Sequence, residues 1–144
     1  MEARFSSYRC STGWQTIMLI TSIPQYIQGL TNAKLDLTTA NATTLYTAPS
    51  AADFNASIIS SILISNDSGS ADTITLTLTN GTTVFSLFKV KAVAANTTVE
   101  LLTRDLVLES AEILKATAAT ANRLHVVASI QEFTKQRITT SAII

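Results

Sequence analysis

Residues 72–90 read DTITLTLTNGTTVFSLFKV. Ile74, Leu76 and Leu78 alternate with Thr73, Thr75, Thr77 and Thr79, and a second run carries Val84, Phe88 and Val90. Period-two alternation puts the aliphatic side chains on one face of a sheet and the threonines on the other, the pattern of a strand buried on one side. Asn80-Gly81 between the runs predicts a hairpin with a type I′ turn, since both residues tolerate positive φ. The stretch therefore predicts antiparallel β structure with one wet face.

Working outward, short strand candidates recur from Thr31 onward. They are 34–39, 43–47, 56–65, 72–79, 82–93, 98–102, 106–108, 112–117 and 124–133. Turn-forming residues separate them, at Asn41-Ala42, Pro49-Ser50, Asn66-Asp67-Ser68-Gly69, Asn80-Gly81, Ala95-Asn96 and Ala121-Asn122. Seven to nine strands at this spacing predict an all-β, antiparallel β-sandwich, of jelly-roll or Ig-like type. Residues 106–119 (LVLESAEILKATAA) also have apolar residues near helical spacing. The strand–turn–strand reading, with Glu109 to Glu112 as the turn, fits the neighbouring pattern better. Residues 1–30 lack clean periodicity and hold Cys10, Trp14, Met18, Pro24 and two of the three tyrosines. They read as an N-terminal arm, 31–133 as the sandwich and 134–144 as a C-terminal arm. Met18 is a second possible start of translation.

Composition narrows the function classes. Of 144 residues only 14% are charged, against about a quarter in ordinary domains, and the formal net charge is +0. Threonine occurs 23 times and serine 15 times, so the polar surface is built largely from hydroxyls. A nucleic-acid binder would need a basic patch, which this balance argues against. Low net charge also favours association of free copies. One cysteine, Cys10, excludes an intramolecular disulfide and a cysteine-based metal cluster. No run is long enough for a membrane-spanning helix, and the apolar run 16–23 does not read as a signal peptide.

The candidates for chemistry are few. His125 is the single histidine. It alternates with Val127 and Ser129 as a half-exposed strand residue, with no nucleophile motif or zinc-ligand spacing beside it. The loop Asn66 to Asp72 places two carboxylates around Gly69 but lacks the acidic spacing of a calcium loop. It reads as a turn, with Asp67 bonding its own backbone and Gly69 at positive φ. Glu109 and Glu112 would have to flank a sugar in an aromatic cleft to act as a glycosidase pair; a solvated turn fits them better. The five Asn-x-Ser/Thr sequons at Asn41, Asn55, Asn66, Asn80 and Asn96 read as turn chemistry. Tyr46, Phe54, Phe85 and Phe88 could form a sugar-stacking platform, though core or interface roles suit them better. Phe85, offset by one from Val84 and Phe88, is expected on the opposite face. No catalytic, cofactor-binding or metal residue is expected, and no enzyme activity.

Four segments together resemble small β-sandwich virion structural proteins of tailed bacteriophages, especially of cyanobacterial and marine phages. They are LTTANATTLYTAP at 37–49, ILISNDSG at 62–69, NTTVELL at 96–102 and LVLESAEILK at 106–115. The likeness spans 31–133 and leaves out the N-terminal arm. Such proteins often carry glycine in the turn where this chain has Ser110-Ala111-Glu112, so a wider turn is expected there. The resemblance implies a non-enzymatic component of the virion, assembled in the host bacterial cytoplasm. It would act as an oligomeric decoration or adaptor of head, neck or tail, touching further copies of itself and other virion proteins through its arms. The alternative is a carbohydrate- or receptor-binding module of a tail fibre or baseplate appendage, using Phe85 or the 66–72 loop.

Overall fold

The computed structural model describes residues 27–134, Asp53 apart. Cys10, Trp14, Met18 and the segment 135–144 lie outside the described residues. Nine strands follow in order: β1 (Ile27–Asp36), β2 (Thr43–Thr47), β3 (Phe54–Asn66), β4 (Asp72–Asn80), β5 (Thr83–Val93), β6 (Thr97–Glu100), β7 (Leu106–Leu108), β8 (Ile113–Ala118) and β9 (Leu124–Thr134). They form two antiparallel sheets: β1-β9-β3-β6, with β7 also on β3, and β2-β8-β4-β5. The first is called sheet A and the second sheet B. The described residues contain no helix, so 106–119 is strand, turn and strand.

The pairings nest: β1 with β9, β2 with β8, β3 with β6 and β7, β4 with β5. Strands β6 and β7 together act as one interrupted strand along β3. The chain is thus an eight-stranded antiparallel hairpin rolled over two sheets, a jelly roll, and of the two expected sandwich types this is the one formed. Strand β1 begins at Ile27, so the arm boundary drawn at residue 30 falls inside it. The start of β1 and the end of β9 lie side by side in sheet A, because Ile27 pairs with Phe133.

The core lies between the sheets. Sheet A contributes Ile59, Ile62, Ile64, Leu124, Val126 and Ile130, and sheet B contributes Ile74, Leu76, Leu114 and Val93, all buried. Each such side chain withdrawn from water stabilises the fold by about 1.5–3 kcal/mol. A bulge at Ser60 explains why the buried residues of β3 switch from odd (Ser57, Ile59) to even numbers (Ile62, Ile64, Asn66). One extra residue shifts the alternation by one, and the core face is kept.

The quoted hairpin forms, with three corrections. Asn80 pairs with Thr83, so the loop is Gly81-Thr82, one residue later than expected. Of these two only Gly81 has positive φ, at 58°, which is the φ pattern of type II′, with glycine first, rather than type I′. Asn80 stays in the ladder and its amide donates to Glu112 Oε1 at 3.2 Å. Second, β5 is bulged: Leu87 is extra between the pairs Thr77–Ser86 and Leu76–Phe88. The bulge puts Phe85, opposite Leu78, on the same face as Phe88, whereas strict alternation had separated them. Third, the threonine row is drier than a free sheet face. Thr73, Thr75 and Thr77 are half-buried and Thr79 is buried, since β8 and β5 flank β4 on both sides.

Candidate functional site

The single histidine is held by two carboxylates. His125, on β9, has Nδ1 3.4 Å from Asp36 Oδ1 at the end of β1 and Nε2 3.2 Å from Asp67 Oδ2 in the β3–β4 loop. Its side chain is 43% exposed, as strand alternation predicts. Asp67, expected to bond its own loop, instead reaches the imidazole. With both ring nitrogens facing carboxylates and no nucleophilic side chain bonded to it, the arrangement ties β1 and the loop to β9.

The 66–72 loop is organised by its buried first residue. Asn66 Nδ2 donates to the carbonyls of Ser70 (2.9 Å) and Val93 (3.3 Å), and its Oδ1 accepts from the Ser68 N–H (3.0 Å) and hydroxyl (2.7 Å). Asp72 is also buried, and its carboxylate accepts from the backbone N–H groups of Thr73 (2.8 Å) and Thr120 (3.1 Å). Gly69 does not take the expected positive φ. The loop's turning work is done by side-chain hydrogen bonds rather than by glycine, and its two buried side chains, Asn66 and Asp72, are turned into the protein. Among the described residues no group of three or more His, Cys, Asp or Glu could hold a metal ion.

Glu109 and Glu112 occupy a four-residue turn closed by Glu112 N–H to Glu109 C=O at 3.2 Å. Ala111 takes φ 63°, and the turn is tight rather than wider as expected. Glu112 is buried rather than solvated. Its Oε2 accepts from the Glu109 N–H at 2.8 Å and its Oε1 from Asn80, so both oxygens are engaged and none faces a cleft. The sequons fall in different settings: Asn66 is buried, and Asn55 lies within β3 rather than in a turn.

One polar cluster had no signal in the sequence. Tyr46 on β2 reaches across from sheet B and donates from its hydroxyl to Glu132 Oε1 of β9 at 2.6 Å. Its single proton being used there, it accepts from the Ser57 hydroxyl of β3 at 2.7 Å. Ser57 and Glu132 are register partners on the inner face of sheet A. Burial pushes the Tyr46 phenol up to about 12, aided by the hydrogen bond to the Glu132 carboxylate and its charge, while Ser57 works the other way. Glu100 is a second local anchor. Burial alone would raise its carboxyl, but the Ser61 hydroxyl and the N–H groups of Ile62, Leu102 and Leu101 hold it below the usual range. Both clusters brace the fold. The four aromatics proposed as a platform are dispersed: Phe54 is buried in the core, Tyr46 bridges the sheets, and Phe85 and Phe88 lie on edge strand β5.

No protein-family model matches the chain, and no curated protein does. Solved structures do align. One is a crystal structure of a pentameric capsid protein isolated from metagenomic phage sequences and solved by iodide SAD phasing. It matches at 16% identity and a TM-score of 0.46, over 94% of this chain and 82% of that one. A second crystal structure, also of a pentameric capsid protein isolated from metagenomic phage sequences, matches at 16% identity and a TM-score of 0.46, over 92% of this chain and 93% of that one.

Among the described residues, the large hydrophobic side chains open to solvent are Leu30, Leu63 and Val107 on the outer face of sheet A, and Val84, Phe85 and Val90 on β5. The sheet A set is patterned by register. Val107, Ile58, Gln131 and Leu30 form one cross-strand row, and Ser61, Ser129 and Asn32 form the next. The charged residues on the strands of this face, Glu100, Lys34, His125 and Asp36, stand in the rows beyond, and the Glu100 carboxylate reaches back to the Ser61 hydroxyl of the second row.

Proposed function

We propose that this chain is a non-enzymatic structural protein of a bacteriophage virion. It acts as an oligomeric decoration or adaptor component of head, neck or tail and contacts its neighbours through the segments flanking the sandwich. The observation that supports it most is the distribution of exposed apolar side chains over the outer face of sheet A and the edge strand β5 of a rigid jelly roll. Such surface marks contact with other macromolecules. Jelly rolls recur in viral capsid domains and in lectins, so the fold is compatible with particle assembly without demanding it. Uncharged serine, threonine and aliphatic surface is also cheap to desolvate compared with charges.

The glycan-binding alternative would use Phe85 or the 66–72 loop. That loop's Asn66, Asp67 and Asp72 side chains are all committed to internal partners, so a sugar would find few free donors or acceptors there.

Deleting residues 1–26 or 135–144 and measuring mass by light scattering, with incorporation into particles, tests the proposal. Loss of the oligomer or of incorporation is expected. Unchanged assembly after both deletions would overturn it.

A further inference from the structure

Four edges end the two sheets: β1 and the interrupted β6/β7 in sheet A, β2 and β5 in sheet B. An open edge offers unpaired N–H and C=O groups to any other strand, and proteins blunt such edges with bulges, charges and short strands. Three of the four are blunted. Strand β5 has two register shifts, Val90 at positive φ, and Lys89 and Lys91 exposed. Strand β2 is five residues long and bulged at Leu45. Strands β6 and β7 have four and three residues, and exposed Arg104 and Asp105 stand in the gap between them.

Strand β1 is the exception. From Gly29 to Asp36 its register against β9 is unbroken, and its one shift lies at the start, between Ile27 and Gly29. Its charges, Lys34 and Asp36, come at the far end and leave Gly29 to Ala33 uncharged. The Leu37 N–H donates to the Leu124 carbonyl at 3.1 Å, so by alternation Leu35, Ala33 and Thr31 also turn their main-chain groups toward β9. The N–H and C=O of Leu30, Asn32 and Lys34 therefore face the open side, where no described strand meets them.

The partner that fits such an edge is a second unblunted strand, and among the described residues β1 is the one this molecule has. We propose that β1 pairs antiparallel with β1 of a second copy about a two-fold axis, joining the two A sheets into one. Hydrogen-bonded pairs must form between residues that face the open side, which confines the axis to a few registers. The Asp36 carbonyl already accepts from the Thr38 N–H at 3.0 Å, so Leu30, Asn32 and Lys34 carry the bonding. They do so together when Asn32 lies opposite Asn32 of the second copy, with about six main-chain hydrogen bonds. Leu30 then meets Lys34 across the axis, covering the lysine stem, and no like charges stand opposite each other. This goes beyond the assembly reading above, which places the contacts in the flanking segments. A strand edge buries less than the roughly 800 Å² per partner of a standard interface, so the pair should form and dissociate with concentration.

The full-length chain in a Cys10→Ser background tests it by disulfide trapping. Residues opposite each other in a hydrogen-bonded pair have Cα atoms about 5.5 Å apart, within disulfide range. Asn32→Cys should therefore give a covalent dimer under mild oxidation, roughly tenfold faster than Leu30→Cys, whose copies would lie about 13 Å apart along the strands. Asn32→Pro removes an open-side donor and leaves the β9 ladder intact. It should keep the wild-type circular dichroism and melting temperature and lose the dimer in light scattering, whereas Thr31→Pro, which cuts the β9 ladder, should lower the melting temperature. If Asn32→Pro does not fold, the trapping comparison decides alone. Equal trapping of Asn32→Cys and Leu30→Cys, or an unchanged mass in folded Asn32→Pro, overturns the pairing and leaves contacts through the flanking segments standing. An Asn32→Cys thiol that neither crosslinks nor reacts with maleimide overturns it in favour of the chain's own flanking segment on the edge. A dimer lost in Asn32→Pro but kept after deletion of residues 1–26 and 135–144 upholds the pairing while the flanking-segment reading fails. A wild-type monomer up to about 1 mM overturns both.

Discussion

Tyr46 shows how much one side chain can hold in a sandwich this poor in charge. Its hydroxyl joins β2 of sheet B to β3 and β9 of sheet A through Ser57 and Glu132. Tyr46→Phe keeps the ring but leaves a carboxylate and a buried hydroxyl without that partner. A loss of about 1–3 kcal/mol in urea unfolding is expected, and Tyr46→Phe combined with Glu132→Leu should lose less than the two single changes summed. The same group predicts an alkaline limb. The folded phenol titrates at about 12, above its ordinary 10.0, so the contribution is fully present below pH 10 and is lost as pH rises through 12. Wild-type stability should fall over that window more steeply than that of Tyr46→Phe. None of this was legible in the sequence, where Tyr46 reads as one more aromatic. Its partners lie 11 and 86 residues away, and no local pattern encodes them. The position of His125 on a half-exposed strand was legible from alternation; its two aspartate partners, 89 and 58 residues away in the chain, were not.

At the scale of the element, backbone conformation separates what propensity foretells from what the fold imposes. Among the described residues four that are not glycine have positive φ: Val90, Asn96, Ala111 and Asn122. The two asparagines sit at breaks expected from the sequence, because Asn tolerates the left-handed region. Val90 and Ala111 carry no such signal. The β5 bulges force Val90 to 52°, with its N–H donating to Thr75 Oγ1 at 3.1 Å, and the tight Glu109–Glu112 turn forces Ala111 to 63°. Ala111→Gly should therefore stabilise the protein by roughly 0.5–1 kcal/mol, relief of strain exceeding the entropy glycine returns to the unfolded chain. Gly81→Ala, at φ 58°, should destabilise it by about 1 kcal/mol. Thermal or denaturant midpoints check both signs, and a stabilising Gly81→Ala would contradict the assigned turn. Strand positions were read closely because alternation is a local signal. Bulges at Ser60 and Leu87 were not, since an extra residue is tolerated only when the partner strand and the core demand the shift.

For the whole molecule, the nested pairing closes the nine described strands, all within residues 27–134, around one core between two sheets. Among the described residues no buried side-chain nitrogen or oxygen lacks a partner. A chain of residues 27–134 should accordingly fold alone, with a single cooperative transition and a urea midpoint close to that of the full-length monomer. Multiphasic unfolding or collapse of near-UV signal would show that the flanking segments belong to the core. The all-β class, the hairpin at 72–93 and most strand limits follow from the chain's own alternation and turn residues, because side-chain direction in a strand depends only on the next residue along. The order of the strands, the roll that brings β1 beside β9, and the cross-strand row on the outer face of sheet A do not. They depend on which strands become neighbours, and that is set by burial of the whole core at once. Register then collects Leu30, Ile58, Val107 and Gln131 into one row from four separate parts of the sequence.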